Sequence, residues 1–503
     1  MNQIPAVNRF LGLFLILFFA KAVFVSLFVT PPWDVPDEIG HLGYVKELAT
    51  GKGVPVFRET RMDTEMWDHM AGASGASPDY NWIAQHPPLY YLYMVPSYWV
   101  GELLGDGFQY PLHTGRIWNA CLMVLALYLV YRICLDYSGK QMPAFLLAVG
   151  VGSIPMVTQT AAGVNNDTMI IALSTAIGWR WMHFYQRPNR RNLLWLGLVL
   201  GLGGITKYTL LVVMAPVSAF SILYAFRAGK RMVLPVAGFV MLGWAPISLW
   251  ALRNVIVLGK AMPTSLEYLD FPTKTHYTVL EFFEAYPFFT HMFRSFWGIF
   301  GWHGSGQDLN LTTLHIPVVY QCFYAVLLSV FVLASLACLV AETQRKGRFS
   351  GKFLFVIPAL FTLGIYLIGP FPREAFYVKQ VVYLGIYSSL FSLYFGILRI
   401  WMPGVRWEQW ESRLQVEALV VSAFFTAIIV MQMISYSNDS GMLRGTHGRY
   451  FFAVFGCLLL GWMVPGLNKL ARFNWICGVL VLAMVLGESW LWLDSVIPFF
   501  VAR

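Results

Sequence analysis

Residues 10–29 read FLGLFLILFFAKAVFVSLFV, and residues 31–44, just after them, read PPWDVPDEIGHLGY. The first stretch carries one charge, Lys21, and a helix of about 20 apolar residues crosses the ~30 Å hydrocarbon layer of a bilayer. The second places Asp34, Asp37 and Glu38 within five residues, among Pro31, Pro32 and Pro36. Together they read as a membrane-spanning helix followed by an acidic, proline-stiffened loop where the chain leaves the bilayer. Arg9 precedes the run as in a signal peptide, but the run ends in Thr-Pro-Pro with no small-x-small cleavage pattern, so the helix is expected to be retained.

The rest of the chain repeats this pattern. Of 503 residues, 57% are hydrophobic and 12% charged, against about 25% charged in a soluble domain. Apolar runs recur from end to end without a polar linker. The chain therefore reads as an all-α polytopic membrane protein, one transmembrane domain over residues 1–503 with no separate soluble domain. Cys121, Cys134, Cys322, Cys338, Cys457 and Cys477 all fall in or beside apolar runs, which points to neither a disulfide framework nor a zinc site. The net charge of +9 reads as a record of topology rather than as a nucleic-acid surface.

Arg and Lys cluster at Arg9, at Arg132 and Lys140, at Arg187 to Arg191, at Arg227 to Arg231, at Arg345 to Lys352, at Arg399 to Arg413, and at Lys469 and Arg472. Placing each cluster in the cytoplasm gives about 13 spans, N-terminus inside and C-terminus outside. The expected spans are 10–30, 115–132, 142–160, 166–185, 192–206, 208–226 and 232–251, then 315–340, 353–370, 380–399, 415–435, 450–468 and 475–495. The short pair around Thr206-Lys207 also fits a re-entrant segment. Three segments remain outside: 31–114, 252–314 and 436–449. Within the first, HPPLYYLYMVPSYWVGELL is aromatic and interrupted by Pro87, Pro88 and Pro96, which fits a helix lying at the membrane surface.

Charged groups at the outer face carry the chemistry, because ionisable side chains beside lipid are costly without a partner or a task. A helix starting near Asp37 sets Glu38 and His41 on one face, a carboxylate cluster suited to a general base or a metal ligand. Asp167, in GVNNDTMIIAL, sits where a helix needs capping, yet two asparagines and an aspartate exceed one cap. The cations on this side are Arg116, Lys207, Arg253, Arg294, Arg373, Lys379, Arg444 and Arg449, joined by His86 and His447. RGTHGRYF sets Arg444, His447 and Arg449 on a glycine-rich turn, a combination that suits a phosphate. No phosphate-binding loop or dinucleotide fingerprint is present. Mid-span charges, the mark of a transport path, are few, with Lys21 and Glu488 the main cases.

PDEIGHLGY, QHPPLYYL, NNDTMIIAL, GITKYTLL, RSFWGIFGW and GTHGRYFF, in this order, resemble a family of predicted integral membrane proteins within the GT-C glycosyltransferase superfamily. That superfamily includes protein O-mannosyltransferases and the lipid A aminoarabinose transferase. The resemblance implies a multi-helix enzyme with a long first external loop, in a bacterial inner membrane. It implies a polyprenyl-phosphate-linked sugar as donor, a glycan, lipid or protein as acceptor, and inverting transfer. By position it implies Asp37 as base with Glu38 as companion, Asp167 as the second external acid, and Arg449, Lys207 and His86 at the donor phosphate, with Arg444 and His447 beside them. No cofactor is expected, a divalent cation being the disfavoured option. The chain departs from the family pattern at Ile39-Gly40, where Pro-Ala is usual, and at His447, where Gln is common. The readings held open against transfer are a transporter or flippase of lipid-linked sugars and a glycan polymerase or ligase.

Overall fold

Apolar runs without glycine–proline breaks form long helices, and prolines and polar clusters end or bend them. In the computed structural model, residues 6–71, 79–227, 229–263, 277–286, 288–301, 314–345, 409–440, 447–470 and 474–501 are described. The first run forms α1 (Ala6–Phe24), prolonged by a π turn to Val29. The acidic loop follows and leads into α2 (Glu38–Ala49) and α3 (Thr64–Ala71). The aromatic segment forms α4 (Leu89–Leu104), which carries Pro96 inside it.

A long helix, α5 (Gln109–Ser138), returns. The expected span 142–160 is instead a bent pair. Its halves, α6 (Gln141–Gly152) and α7 (Pro155–Ala161), meet at 70°. Pro155, which starts α7, disfavours helix in the residue before it, and Ile154 is accordingly extended. Next come α8 (Asp167–Gln186), α9 (Arg190–Gly204), α10 (Leu211–Arg227) and α11 (Val233–Leu258). Helix α9 ends and α10 begins at Thr206-Lys207, where Lys207 is extended and a 3-10 turn, Tyr208–Leu210, intervenes.

Two short helices, α12 (Val279–Ala285) and α13 (Phe288–Trp297), and a two-residue antiparallel pairing of Ile299–Phe300 with Leu314–His315 precede α14 (Val318–Arg345). Then come α15 (Trp410–Ser440), the 3-10 segment Gly448–Val454 that runs on helically to Leu470, and α16 (Asn474–Leu491), which continues to Val501. The spans expected at 353–370 and 380–399 lie outside the described residues.

The chain is an integral, multi-pass membrane protein. Among the described residues seven helices are long and apolar enough to cross a bilayer, or eight counting the bent pair as one span. Helices α8 and α9 align with expected spans and fall outside that set. Two mid-span charges are each other's partner: Lys21 Nζ lies 2.7 Å from Glu488 Oε1, which also accepts from the Thr158 hydroxyl at 2.8 Å. That pairing joins α1, α7 and α16, and removes the desolvation problem each charge would meet alone.

Candidate functional site

Five segments far apart in the chain converge on one cluster. The first is the acidic loop. Asp37 takes the left-handed backbone conformation (φ 64°, ψ 7°) directly before α2, one that Asp adopts more readily than most residues. Its Oδ1 accepts a hydrogen bond from Trp82 Nε1 at 3.0 Å, while Oδ2 lies 3.8 Å from Arg449 Nη2. A third of its side chain (34%) stays exposed, against 9% for Asp167. Asp37 is thus the acid of the pair that solvent or a substrate reaches.

The second acid opens α8. The Asn165 side chain accepts the Asp167 backbone N–H at 3.1 Å, so the capping work falls to Asn165. This frees the Asp167 carboxylate for cations. Lys207 Nζ donates to its Oδ1 at 2.8 Å, and Arg449 Nε lies 3.4 Å from its Oδ2. Lys207 also donates to Asn166 Oδ1 at 3.1 Å and lies over the Tyr450 ring. Asp37, Arg449, Asp167 and Lys207 therefore alternate in sign along one path.

Arg449 is aimed by its neighbours in the chain. Gly448 donates its N–H to Ser295 Oγ of α13 at 2.6 Å, and a Cβ there would press on the backbone of Phe296. Gly456 donates to Ser174 Oγ of α8 at 3.0 Å, in an approach that likewise leaves no room for a Cβ. Two glycines thus let the segment carrying Arg449 lie directly against α13 and α8.

Two histidines border the cluster. His41, one turn into α2, and His86, before α4, stack with ring centroids 6.5 Å apart. Tyr91 accepts from Asn166 at 3.5 Å and its hydroxyl lies 3.0 Å from His41 Nδ1. Burial pushes the Tyr91 hydroxyl well up, so it stays protonated in its hydrogen bond with His41. Burial, followed by the positive charge of Lys207, pushes His86 down to about 3. Burial, then His86 and Lys207, hold His41 well below its usual range. Both rings are neutral, and His86 Nδ1 is buried without a hydrogen-bond partner.

Glu38 departs from the role of acid–base companion. Its Oε1 accepts from Arg116 Nε at 2.9 Å and the Val164 N–H at 2.8 Å; its Oε2 accepts from Arg116 Nη2 at 2.6 Å and the Trp33 N–H at 3.1 Å. Both side chains are wholly buried. A carboxylate with every lone-pair direction occupied has no place for an acceptor's proton. His447 lies beside His291 of α13, ring centroids 6.1 Å apart, and Arg444 lies outside the described residues. Among the described residues no three His, Cys, Asp or Glu side chains converge as metal ligands do.

The family described as "Predicted membrane protein (DUF2142)" matches residues 56–369. The chain belongs to this family. None of the curated proteins matches the chain in sequence. Among solved structures it is similar to ArnT from Cupriavidus metallidurans in the apo state, with 13% identity, TM-score 0.38, 93% of this chain and 78% of that one. ArnT of the same organism bound to undecaprenyl phosphate gives 10% identity, TM-score 0.37, 93% of this chain and 79% of that one. The S. cerevisiae protein O-mannosyltransferase Pmt1-Pmt2 complex bound to the sugar donor gives 16% identity and TM-score 0.34, over 52% of this chain and 34% of that one.

Trp82 and Tyr91 had no assigned role from sequence, Asn166 was read only as part of a helix cap, and Arg116 only as one of the outer-face cations. Tyr91 and Asn166 lie inside quoted motifs, and only their spatial partners give them a function. The pairing of Arg116 with Glu38 bridges 78 positions, a separation at which residue types alone carry no signal.

Proposed function

We propose that the chain transfers a sugar from a polyprenyl-phosphate carrier to an acceptor hydroxyl at the outer membrane face, with Asp37 as general base. The observation that carries the proposal is the pairing, within one site, of a partly exposed carboxylate with largely buried cations. Asp37 Oδ2 faces Arg449 across 3.8 Å, while Lys207 and Arg449 are held by Asp167.

Inverting transfer requires the acceptor oxygen to attack the anomeric carbon while its proton passes to a carboxylate. The bond from the anomeric carbon to the phosphate oxygen breaks, and the phosphate leaves with the electron pair on its lipid. Asp37 receives the proton. Arg449 and Lys207 face the oxygen that gains charge, and this is where preorganised cations accelerate most. Guanidinium and ammonium groups pre-aligned by a buried acid need little reorganisation as that charge develops. His86, neutral and stacked beside His41, borders the cations without adding charge.

The same geometry favours a metal-free reaction, since Lys207 and Arg449 take the places on Asp167 that a divalent cation would need. The orientation proposed is N-terminus inside, with the site at the extracytoplasmic face. The test supplies membranes containing the protein with radiolabelled undecaprenyl-phosphate hexoses and pentoses, with and without EDTA. Labelled glycoside formed equally in both arms is the expected result. Movement of label across sealed vesicles with no glycosidic product contradicts the proposal and restores the flippase reading.

A further inference from the structure

The buried pair Glu38–Arg116 ties the end of the first span, the acidic loop and the segment before Asp167 to α5. Arg116, on α5, uses all five of its N–H donors. Two go to Glu38, and the others reach the carbonyls of Ser26 (2.7 Å), Thr30 (2.7 Å) and Pro31 (2.8 Å). These carbonyls close the end of the first span, where a helix leaves acceptors unsatisfied. Glu38 spends its remaining capacity on two backbone N–H groups. Trp33 lies in the acidic loop four residues before Asp37, and Val164 lies three residues before Asp167.

One turn further along α5, Asn119 reinforces the same connection. Its side-chain N–H groups reach Thr160 O (3.1 Å), Gly163 O (2.6 Å) and the Thr168 hydroxyl (2.8 Å), on both sides of Asp167. The acidic loop meanwhile carries two non-glycine residues in the left-handed region, Trp33 (φ 70°) and Asp37 (φ 64°). Such conformations cost on the order of 1–3 kcal/mol each and persist only where the surroundings over-determine them. Replacing a buried ion pair by apolar groups is often neutral or stabilising, so stability alone does not explain this one. What a carboxylate supplies and a methyl group does not is a fixed direction for two separate backbone N–H groups.

We infer that Glu38 and Arg116 are positioning residues: their pair sets Asp37 at a fixed distance and angle from Asp167 and its cations. This rests on the transfer reading above. A carboxylate base displaced by about 1 Å loses on the order of 100-fold in rate, while the phosphate-binding cations, held through Asp167, are left in place.

The test compares wild type, Asp37→Asn, the paired variant Glu38→Met with Arg116→Met, and Arg116→Lys. The paired change avoids leaving one charge buried alone. Each protein is assayed for turnover and donor KM on the undecaprenyl-phosphate sugar that wild type uses best. Thermal protection by undecaprenyl phosphate is measured separately, since it needs no turnover. The expected result for the paired variant is kcat lower by about 100-fold, with donor KM and protection within about threefold of wild type. Where the paired variant does not fold, Arg116→Lys, which keeps the charge but loses the fork, gives the same split. Near-normal kcat in either folded variant, with Asp37→Asn inactive, overturns the positioning role and leaves the transfer reading standing. Full turnover in Asp37→Asn instead removes the transfer reading itself.

Discussion

Asp167 touches two cations, and each depends on it. Lys207 and Asp167 are both nearly buried, so removing Lys207 leaves Asp167 and Asp37 sharing Arg449 alone and the cluster one negative charge in excess, which lowers stability. Lys207→Met is therefore expected to lower the melting temperature in detergent, and the added change Asp167→Asn to restore most of it. Protection by undecaprenyl phosphate should not return with it, and its return would reassign Lys207 to stability alone. The histidines give a pH signature. His41 and His86 refuse a proton in the fold, while in the unfolded chain they accept one near pH 6.5. Between these values the unfolded state binds more protons. Stability is thus full above about pH 6.5 and declines as the pH falls toward 3. His86→Gln should shrink the drop in melting temperature between pH 7 and pH 5, and an unchanged drop would mean that other groups set it.

Helices were the legible part of this chain, because a run of about 20 apolar residues has few other solutions. The expected spans at 10–30, 166–185 and 208–226 match helices of nearly the same extent. The bend at Pro155 was missed because hydropathy does not separate a straight span from two half-length pieces. Its shape is secured from outside: Thr158 bonds Glu488, which pairs with Lys21. Lys21→Met alone should destabilise by about 3 kcal/mol, because Glu488 is then buried as an unpaired charge. Lys21→Met with Glu488→Met should recover it. Equal stability of the single and the paired variants would show that water, not Lys21, balances Glu488. A glycine contact sets a harder limit. Gly456→Leu places a side chain against the α8 backbone at Ser174, and loss of monodisperse protein in gel filtration is the expected outcome.

Across the whole molecule, the site draws on residues from 37 to 449, brought together at one end of the helices. The resemblance grouped Asp37, His86, Asp167, Lys207 and Arg449, and the structure places Asp37, Arg449, Asp167 and Lys207 in one chain of contacts. The resemblance did not reveal that Glu38 is wholly buried against Arg116 while Asp37 stays partly exposed. Glu38 and Asp37 are chemically alike and adjacent, and only the partners 78 and 126 positions from Glu38 mark it as the buried, fully hydrogen-bonded one of the two. In the proposed reaction Asp37 takes the acceptor's proton while the cations hold the carrier phosphate. The direct measurement is transfer from undecaprenyl-phosphate sugar by Asp37→Asn, alongside its thermal protection by undecaprenyl phosphate. Turnover lower by at least about 100-fold with protection retained is the expected result. Turnover within a few-fold of wild type in a variant that still binds the carrier would contradict it.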